Sequence, residues 1–529
     1  MNDINETIQD LSDAQLQQIV HSLAQDGGGI KTESDAVSGN PAAADTRVLE
    51  THISLVLLSG PWAWKFKKPV NFGFLDFSTP ALRRHYCEEE LRLNRRTAPD
   101  LYMDVQEIRG PVEAPHFGGS GPLLTHAVRM RRFDPDRTLD QVLSRAGLET
   151  RHVDEMAQSI ARFHDHAAIA GANTDWDCRQ SVLKPVANNF RTLRETLPAA
   201  MSRDLDTDRL EQNIRRLGET LVPVFTQRKR QGHVRECHGD LHLGNLALID
   251  GNVIAFDALE FNPGLRWIDT ASDLGFLVMD LEEKGRTDLS RRFLSLYLEQ
   301  CGDWGALSVL PYYQSYRALV RAKVTALRRK QCTEGTAGDS TADAQPERIA
   351  SYVKLARACL TPPTPALYLT HGVSGSGKST AAMALVETLG AIRIRSDVER
   401  RRLFPDRLFP DPGQRYAPAA GARTYARLLE IANHILSRGY PVVIDATFLK
   451  RDQRAPFLKL ARQRNVPAGI LALEAPTEIL RQRIQQRRKQ GQDASEADCL
   501  VLDKQIKQIE PLTEEERALA FNPERAPHS

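Results

Sequence analysis

The nonapeptide Gly372-Val373-Ser374-Gly375-Ser376-Gly377-Lys378-Ser379-Thr380 constrains the fold more than any other stretch of this chain. It has the form G-x-x-x-x-G-K-[ST], with an apolar strand-like run, Ala366–Thr370, before it and a helix-forming run, Ala381–Leu389, after it. Glycines let a backbone curl until successive N–H groups face one anion, and the helix N-terminus adds a favourable dipole. The pattern predicts a phosphate cradle in which Lys378 reaches the terminal phosphates of ATP and Ser379 offers its hydroxyl to Mg2+.

Strand-like and helical runs alternate after this loop: Ala391–Ile394, Val442–Ile444 and Gly469–Leu473 read as strands, with amphipathic stretches between them. That order predicts βαβ units and a parallel sheet, with ligands outside the carboxyl ends of the strands. Asp397 falls at one such end. Ser396 and Glu399 have capping-box spacing, so a helix is expected to start at Asp397, with Arg400 one turn along the same face. A carboxylate there can take the proton of an attacking hydroxyl, and the arginine can hold an anionic group. Asp445 ends the next strand, where a Mg2+-associated carboxylate is expected. Further on, Glu478–Lys489 reads as a helix carrying Arg481, Arg483, Arg487 and Arg488. Arg483 and Arg487 are spaced to share a face, either as a lid over the transferring phosphate or as a solvated basic surface.

The full chain has 529 residues, 26% of them charged, with a formal net charge of +2. Such a balance argues against a dedicated nucleic-acid coat and leaves only a local basic groove open. No apolar run reaches the length of a membrane-spanning helix, and the start of the chain lacks the features of a secretory signal. Seven scattered cysteines without a CxxC fit a reducing cytoplasm. Composition shifts divide the chain into four segments: a short helix, Leu11–Ala24, and a flexible tether, Gln25–Ala44, within 1–45; an ordered domain over 46–330; a linker with one helix, Arg348–Cys359, over 331–365; and the nucleotide domain over 366–529. Cys332–Gln345 carries no large apolar residue and is read as linker.

The second chemical signature is His238-Gly-Asp-Leu-His-Leu-Gly-Asn245, of the form H-x-D-x-x-x-x-N. On one rigid loop this spacing lets Asp240 accept a hydroxyl proton while Asn245 binds Mg2+. Asp257 ends the strand Val253–Asp257, where the second metal-binding carboxylate belongs. Upstream, Trp62-Ala-Trp-Lys-Phe-Lys-Lys68 alternates as a strand, so Lys65 and Lys67 share a face. One of them is expected to pair the ATP phosphates with a helix glutamate. Glu90, on a helix expected over Leu82–Arg96, is the candidate, with Glu89 beside it. Leu124–Phe133 reads as a strand leading into a hinge.

Gly372–Thr380, Asp397-x-x-Arg400, Asp445-Ala-Thr and the arginine helix resemble the small P-loop kinases related to gluconate kinase, zeta toxin and polynucleotide 5′-kinase. By that resemblance Asp397 is the base or substrate anchor. Cys237–Leu274 resembles aminoglycoside phosphotransferases and related small-molecule kinases. There the resemblance makes His238 structural and Asp273 a brace for the catalytic loop. The G-x-G-x-x-G phosphate loop of protein kinases is missing; only Gly60 precedes the lysine strand. Nearly everything after residue 46 is similar to bacterial bifunctional proteins described as aminoglycoside phosphotransferase-like and ATP-binding. The fold class implied is α/β and α+β in two domains, a protein-kinase-like domain followed by a P-loop domain with a parallel sheet. The function implied is an ATP- and Mg2+-dependent kinase with two nucleotide sites, phosphorylating a hydroxyl of a small molecule. Two alternatives stay open: a P-loop half acting as an ATP-driven switch for the first half, and a polynucleotide end-processing kinase.

Overall fold

The computed structural model describes residues 10–25, 46–333, 345–490 and 498–521, apart from 74, 172–173, 175, 406, 410–414 and 416. The expected tether from residue 26 on and residues 334–344 of the expected linker lie outside these residues. By compactness the chain forms two units. The first comprises 1–152, 166–181 and 228–273, and the second comprises 153–165, 182–227 and 274–529. The helical part of the segment 46–330 therefore clusters with the nucleotide domain.

The first unit is built on a six-stranded antiparallel sheet: β1 (Arg47–Glu50), β2 (Ser54–Ser59), β3 (Trp62–Lys67), β4 (Tyr102–Arg109), β5 (His116–Phe117) and β6 (Leu123–Arg131), in the order β1-β2-β3-β6-β4-β5. Alternation along β3 puts Ala63 and its period-two partners on one side and Trp64 and Phe66 on the other, where they are buried. The N-terminal helix α1 (Asp13–Gln25) lays Leu16, Ile19, Val20 and Leu23 onto this second side, against Leu55, Leu57, Trp64 and Phe66. It is thus a piece of the core. Helix α2 spans Pro80–Asn94, two residues earlier than the sequence pattern placed it. Thr79 accepts a hydrogen bond from the N–H of Leu82, and Pro80 at the first helical position sets the start there. Strands β7 (Val234–Glu236), β8 (Leu246–Ile249), β9 (Asn252–Ala255) and β10 (Trp267–Asp269) form two small antiparallel ribbons, β7–β10 and β8–β9.

In the second unit the helices α3 (Thr150–His166), α4 (Lys184–Thr196), α5 (Thr207–Arg230), α6 (Thr270–Glu283), α7 (Thr287–Cys301), α8 (Leu310–Thr333) and α9 (Pro346–Ala358) precede a parallel sheet. Helices α3, α5 and α6 begin or end in the first unit. Helix α9 buries Ile349, Tyr352, Val353 and Ala356, and Arg321 of α8 donates to the Tyr352 hydroxyl at 3.4 Å. The sheet has the order β12-β13-β11-β14, with β11 (Leu367–His371), β12 (Ile392–Arg395), β13 (Val442–Asp445) and β14 (Ala468–Ala472) all parallel. Helices α10 (Lys378–Leu389), α11 (Ser396–Leu403), α12 (Pro418–Ser437), α13 (Arg451–Arg464), α14 (Thr477–Gln490) and α15 (Cys499–Gln508) complete it.

The expected capping box at Ser396 is not formed. Helix α11 starts at Ser396 itself, and the residue before it, Arg395, makes no side-chain capping hydrogen bond. The Glu399 side chain is 2% exposed and committed to Arg402 and Arg427, so it cannot reach back. Near the end of the domain, Arg454 is fully buried and forms a two-pronged pair with Glu516 at 2.8 and 2.9 Å. It also donates to the carbonyls of Phe448 and Pro511.

Candidate active sites

In the first unit, strand β3 delivers both lysines to one carboxylate. Lys65 Nζ lies 2.9 Å from Glu90 Oε1, and Lys67 Nζ lies 2.7 Å from Glu90 Oε2. The two ammonium groups differ in what else they touch. Lys65 also reaches Asp257 Oδ1 at 2.5 Å, whereas Lys67 is paired with Glu260 and stands 4.8 Å over the Phe77 ring. The Lys67 side chain is 1% exposed, against 14% for Lys65 and 42% for Asp257. Lys65 is therefore the one that faces the open carboxylate, and Lys67 is internal. Glu89 turns to Arg92 and Arg266 instead.

Burial opposes charge throughout this cluster, and pairing overcomes it. Burial pulls Lys65 down, but Asp257 and Glu90 hold its pKa well above the usual lysine range. Burial pushes Glu90 up, yet the Lys65 and Lys67 ammonium groups outweigh it and bring its carboxyl to about 2. Burial raises Glu260, the third carboxylate set against two cations.

The loop His238–Asn245 is fixed by side chains acting on its backbone. Asp273 accepts from the N–H of His238 at 2.7 Å and of Gly239 at 3.0 Å. Gly239 has φ 88°, and a Cβ there would sit 2.9 Å from the Leu265 carbonyl, so no larger residue fits. His238 Nε2 donates to the Phe256 carbonyl at 2.9 Å, and burial holds this imidazole below its ordinary pKa. Pairing of Leu246 with Ala255 in the β8–β9 ribbon, and the bond from Phe256 N to Asn245 O at 3.0 Å, set Asn245 beside the stretch that ends in Asp257. Asn245 Nδ2 donates to the Asp240 carbonyl at 2.9 Å and to its carboxylate at 3.1 Å. Asp257 holds φ 60°, unusual for a residue with a side chain, and its N–H donates to the Tyr102 hydroxyl at 3.1 Å. The structure thus joins Lys65, Lys67, Glu90 and Asp257 in one ion-pair network and ties Asp240 to Asn245 by hydrogen bonds, and the β8–β9 ribbon links Asn245 to the stretch that ends in Asp257. Glu260 was missed from sequence; it lies three residues past Asp257 in an irregular stretch with no periodic signal.

In the second unit, Gly372, Gly375 and Gly377 take φ of 148°, 84° and 96°. A Cβ on Gly372 would lie 2.4 Å from the Leu473 carbonyl, and one on Gly375 would lie 2.9 Å from that of Leu480. Lys378 Nζ donates to Val373 O at 2.7 Å. The loop borders a cavity of about 430 Å³ lined by Ser374, Gly375, Gly377, Lys378, Ser379, Thr380, Asp397, Arg400, Asp445 and Arg483 among others. Val373 and Ser376 are buried behind it. Arg400 Nη1 pairs with Asp397 Oδ1 at 2.7 Å. Arg483 Nη1 donates to the Gly375 carbonyl at 3.1 Å, which puts α14 on the phosphate loop. The side chain of Arg487 lies outside the described residues. Two participants escaped the sequence reading. Gln505 accepts from Ser374 N at 2.7 Å, and Arg395 stands 3.8 Å from Asp445 Oδ2.

Asp445 Oδ2 is buried and has no hydrogen-bond partner among the described residues. A buried carboxylate oxygen with no hydrogen bond among the described residues, approached by Arg395 at 3.8 Å and lining one cavity with Ser379 and the glycine-rich loop, belongs to a donor set that a Mg2+–nucleotide fits.

A family model described as "AAA domain" matches residues 367–512. Uncharacterized protein Rv2004c of Mycobacterium tuberculosis is 31% identical over 454 residues, covering 85% of this chain and 87% of that protein. Uncharacterized protein Mb2027c of Mycobacterium bovis matches to the same extent. Among solved structures, a choline/ethanolamine kinase family protein from Mesorhizobium loti covers 65% of this chain and 99% of its own, at 11% identity and TM-score 0.37. A gluconokinase from Sinorhizobium meliloti covers 30% and 82%, at 21% identity and TM-score 0.23. The fold defines a chain with an antiparallel-sheet part followed by a parallel-sheet domain that carries the glycine-rich loop Gly372–Thr380. It belongs to the same family as the two mycobacterial proteins.

Proposed function

We propose that the chain is an ATP-dependent kinase with two phosphotransfer sites, each acting on a hydroxyl of a small molecule. The observation that carries this reading is that the phosphate loop and the Asp397–Arg400 pair line one cavity. A base and an anion-binding arginine beside the γ-phosphate position are superfluous for a switch that only senses ATP.

At the P-loop site, Lys378 and the loop N–H groups hold the phosphates, and Arg400 orients the acceptor and fixes the Asp397 carboxylate. Asp397 accepts the proton of the attacking hydroxyl. Ser379 and Asp445 would hold Mg2+, which when bound offsets charge on the phosphate oxygens. At the first site, Lys65 meets the phosphates while Glu90 keeps its ammonium in place. Asp240 is the base, and Asn245 and Asp257 would hold the metal. Lys67 serves from behind, tying Glu90 to Glu260.

The test is transfer of label from γ-labelled ATP into a metabolite extract, run with the full chain and with its Asp240→Asn and Asp397→Asn variants. Each substitution is expected to erase a distinct labelled product. Identical product patterns in all three proteins would refute two-site transfer.

A further inference from the structure

The P-loop site is reached from an unexpected direction within the second unit. Helix α7, which lies upstream of the phosphate loop in the chain, packs on strand β12 and helix α10. Ser295 Oγ accepts from the N–H of Arg393 at 3.0 Å. Glu299, one turn further along α7, takes Arg393 Nη2 at 3.0 Å and Arg395 Nη1 at 3.6 Å. The same Arg395 guanidinium lies 3.8 Å from Asp445. Past Glu299 the last carbonyls of α7, those of Glu299 and Gln300, accept from Arg402 of α11, the helix that carries Asp397 and Arg400. A second cavity, of about 570 Å³, is lined by Asp154, Arg292, Glu299, Glu387, Ser379 and Arg395, and it shares the last two with the phosphate cavity.

We infer that Glu299 is a positioning residue for the metal-nucleotide site of the P-loop domain, acting by holding Arg395 back from Asp445. Two carboxylates share one guanidinium here, and at such distances neither ion pair is closed by a hydrogen bond of ideal length. Arg395 and a divalent cation compete for the same carboxylate. With Glu299 charged, the arginine has an alternative anion and Asp445 stays accessible to the metal. Without it, Asp445 is the carboxylate of the two that remains, and the arginine moves onto it. Arg393 strengthens the arrangement by pairing with the Glu299 carboxylate and holding it in place. The buried Asp445 Oδ2, which lacks a hydrogen bond among the described residues, is the atom both would claim.

The inference rests on the P-loop reading above, and a binding measurement separates the two. Mn2+ binding to the full chain with a non-hydrolysable ATP analogue is followed by loss of the free-Mn2+ EPR signal. The Lys378→Ala variant, measured in parallel, identifies the share bound at the P-loop. Glu299→Gln is expected to weaken that share about tenfold or more, the usual scale for a residue that orients a metal ligand. Glu299→Gln combined with Arg395→Gln is expected to bring it back to the wild-type level, a rescue that general damage to the fold would not give. An unchanged affinity in Glu299→Gln, or a double variant as weak as the single one, overturns the inference. If Lys378→Ala binds as much Mn2+ as the wild type, the P-loop site itself falls, and this role for Glu299 falls with it.

Discussion

Asn245 reaches Asp240 twice, through the backbone carbonyl at 2.9 Å and through the carboxylate at 3.1 Å, so the amide that would face the metal also fixes the proposed base. The position of Asp240 is therefore coupled to its neighbour five residues on.

That coupling makes the two substitutions distinguishable. Asp240→Asn is expected to cut turnover at the first site by about 10²- to 10⁴-fold, the range for loss of a general base, with ATP affinity kept. Asn245→Ala is expected to lower turnover and also to raise the Mg2+ concentration needed for half-maximal rate. Steady-state kinetics against Mg2+ decides between them.

The internal ion network predicts a stability effect. Lys67 is buried between Glu90 and Glu260. Removing one partner of a buried pair strands the other's charge, so Lys67→Met is expected to cost about 3–5 kcal/mol in urea unfolding. Lys65→Met, at the more open position, is expected to cost less and to weaken ATP binding at the first site. Equal losses of stability from the two would contradict the distinction drawn between them.

Glu282 supplies a pH prediction. It is half-buried in the second unit, with Ser290 Oγ at 3.3 Å and Gln314 Nε2 at 3.5 Å, and its partial loss of solvent raises its pKa from 4.5 to about 7. The folded state then holds this proton more tightly than the unfolded chain. Its effect on stability is neutral below the unfolded pKa and becomes a growing penalty as pH rises towards 7. Glu282→Gln is expected to match the wild type at low pH and to exceed it at pH 8 by up to about 3 kcal/mol. Urea midpoints at the two pH values provide the check.

Gly372 tests the shape of the phosphate loop. With Leu473 O 2.4 Å from where a Cβ would go, Gly372→Ala forces the loop away from β14. Nucleotide binding at the P-loop is expected to fall below detection while the first site keeps its affinity. Calorimetric titration of the variant, with Lys378→Ala as reference, gives the comparison.

How far the sequence led depended on range. Lys65 and Lys67 were legible as a pair because β-strand alternation is a local rule, and Asp397 and Asp445 because they sit where strands of a parallel sheet end. Glu260, Gln505, Arg395 and Glu299 were not, since each owes its role to a partner distant in sequence and lies in no recurrent spacing. The capping box at Ser396 failed for a related reason: Glu399 has the right spacing, but Arg402 and Arg427 compete for it and win. Helix α1 was legible as amphipathic, yet nothing local showed that its apolar face would complete the core beneath Trp64.

The enclosed Arg454 guanidinium sets a practical boundary for engineering. Its counter-charge, Glu516, arrives from the last helical turn of the described chain. Any version ending short of that glutamate leaves a permanent cation sealed in the interior, so fusion junctions and trimmed variants of the nucleotide domain should begin their changes beyond it.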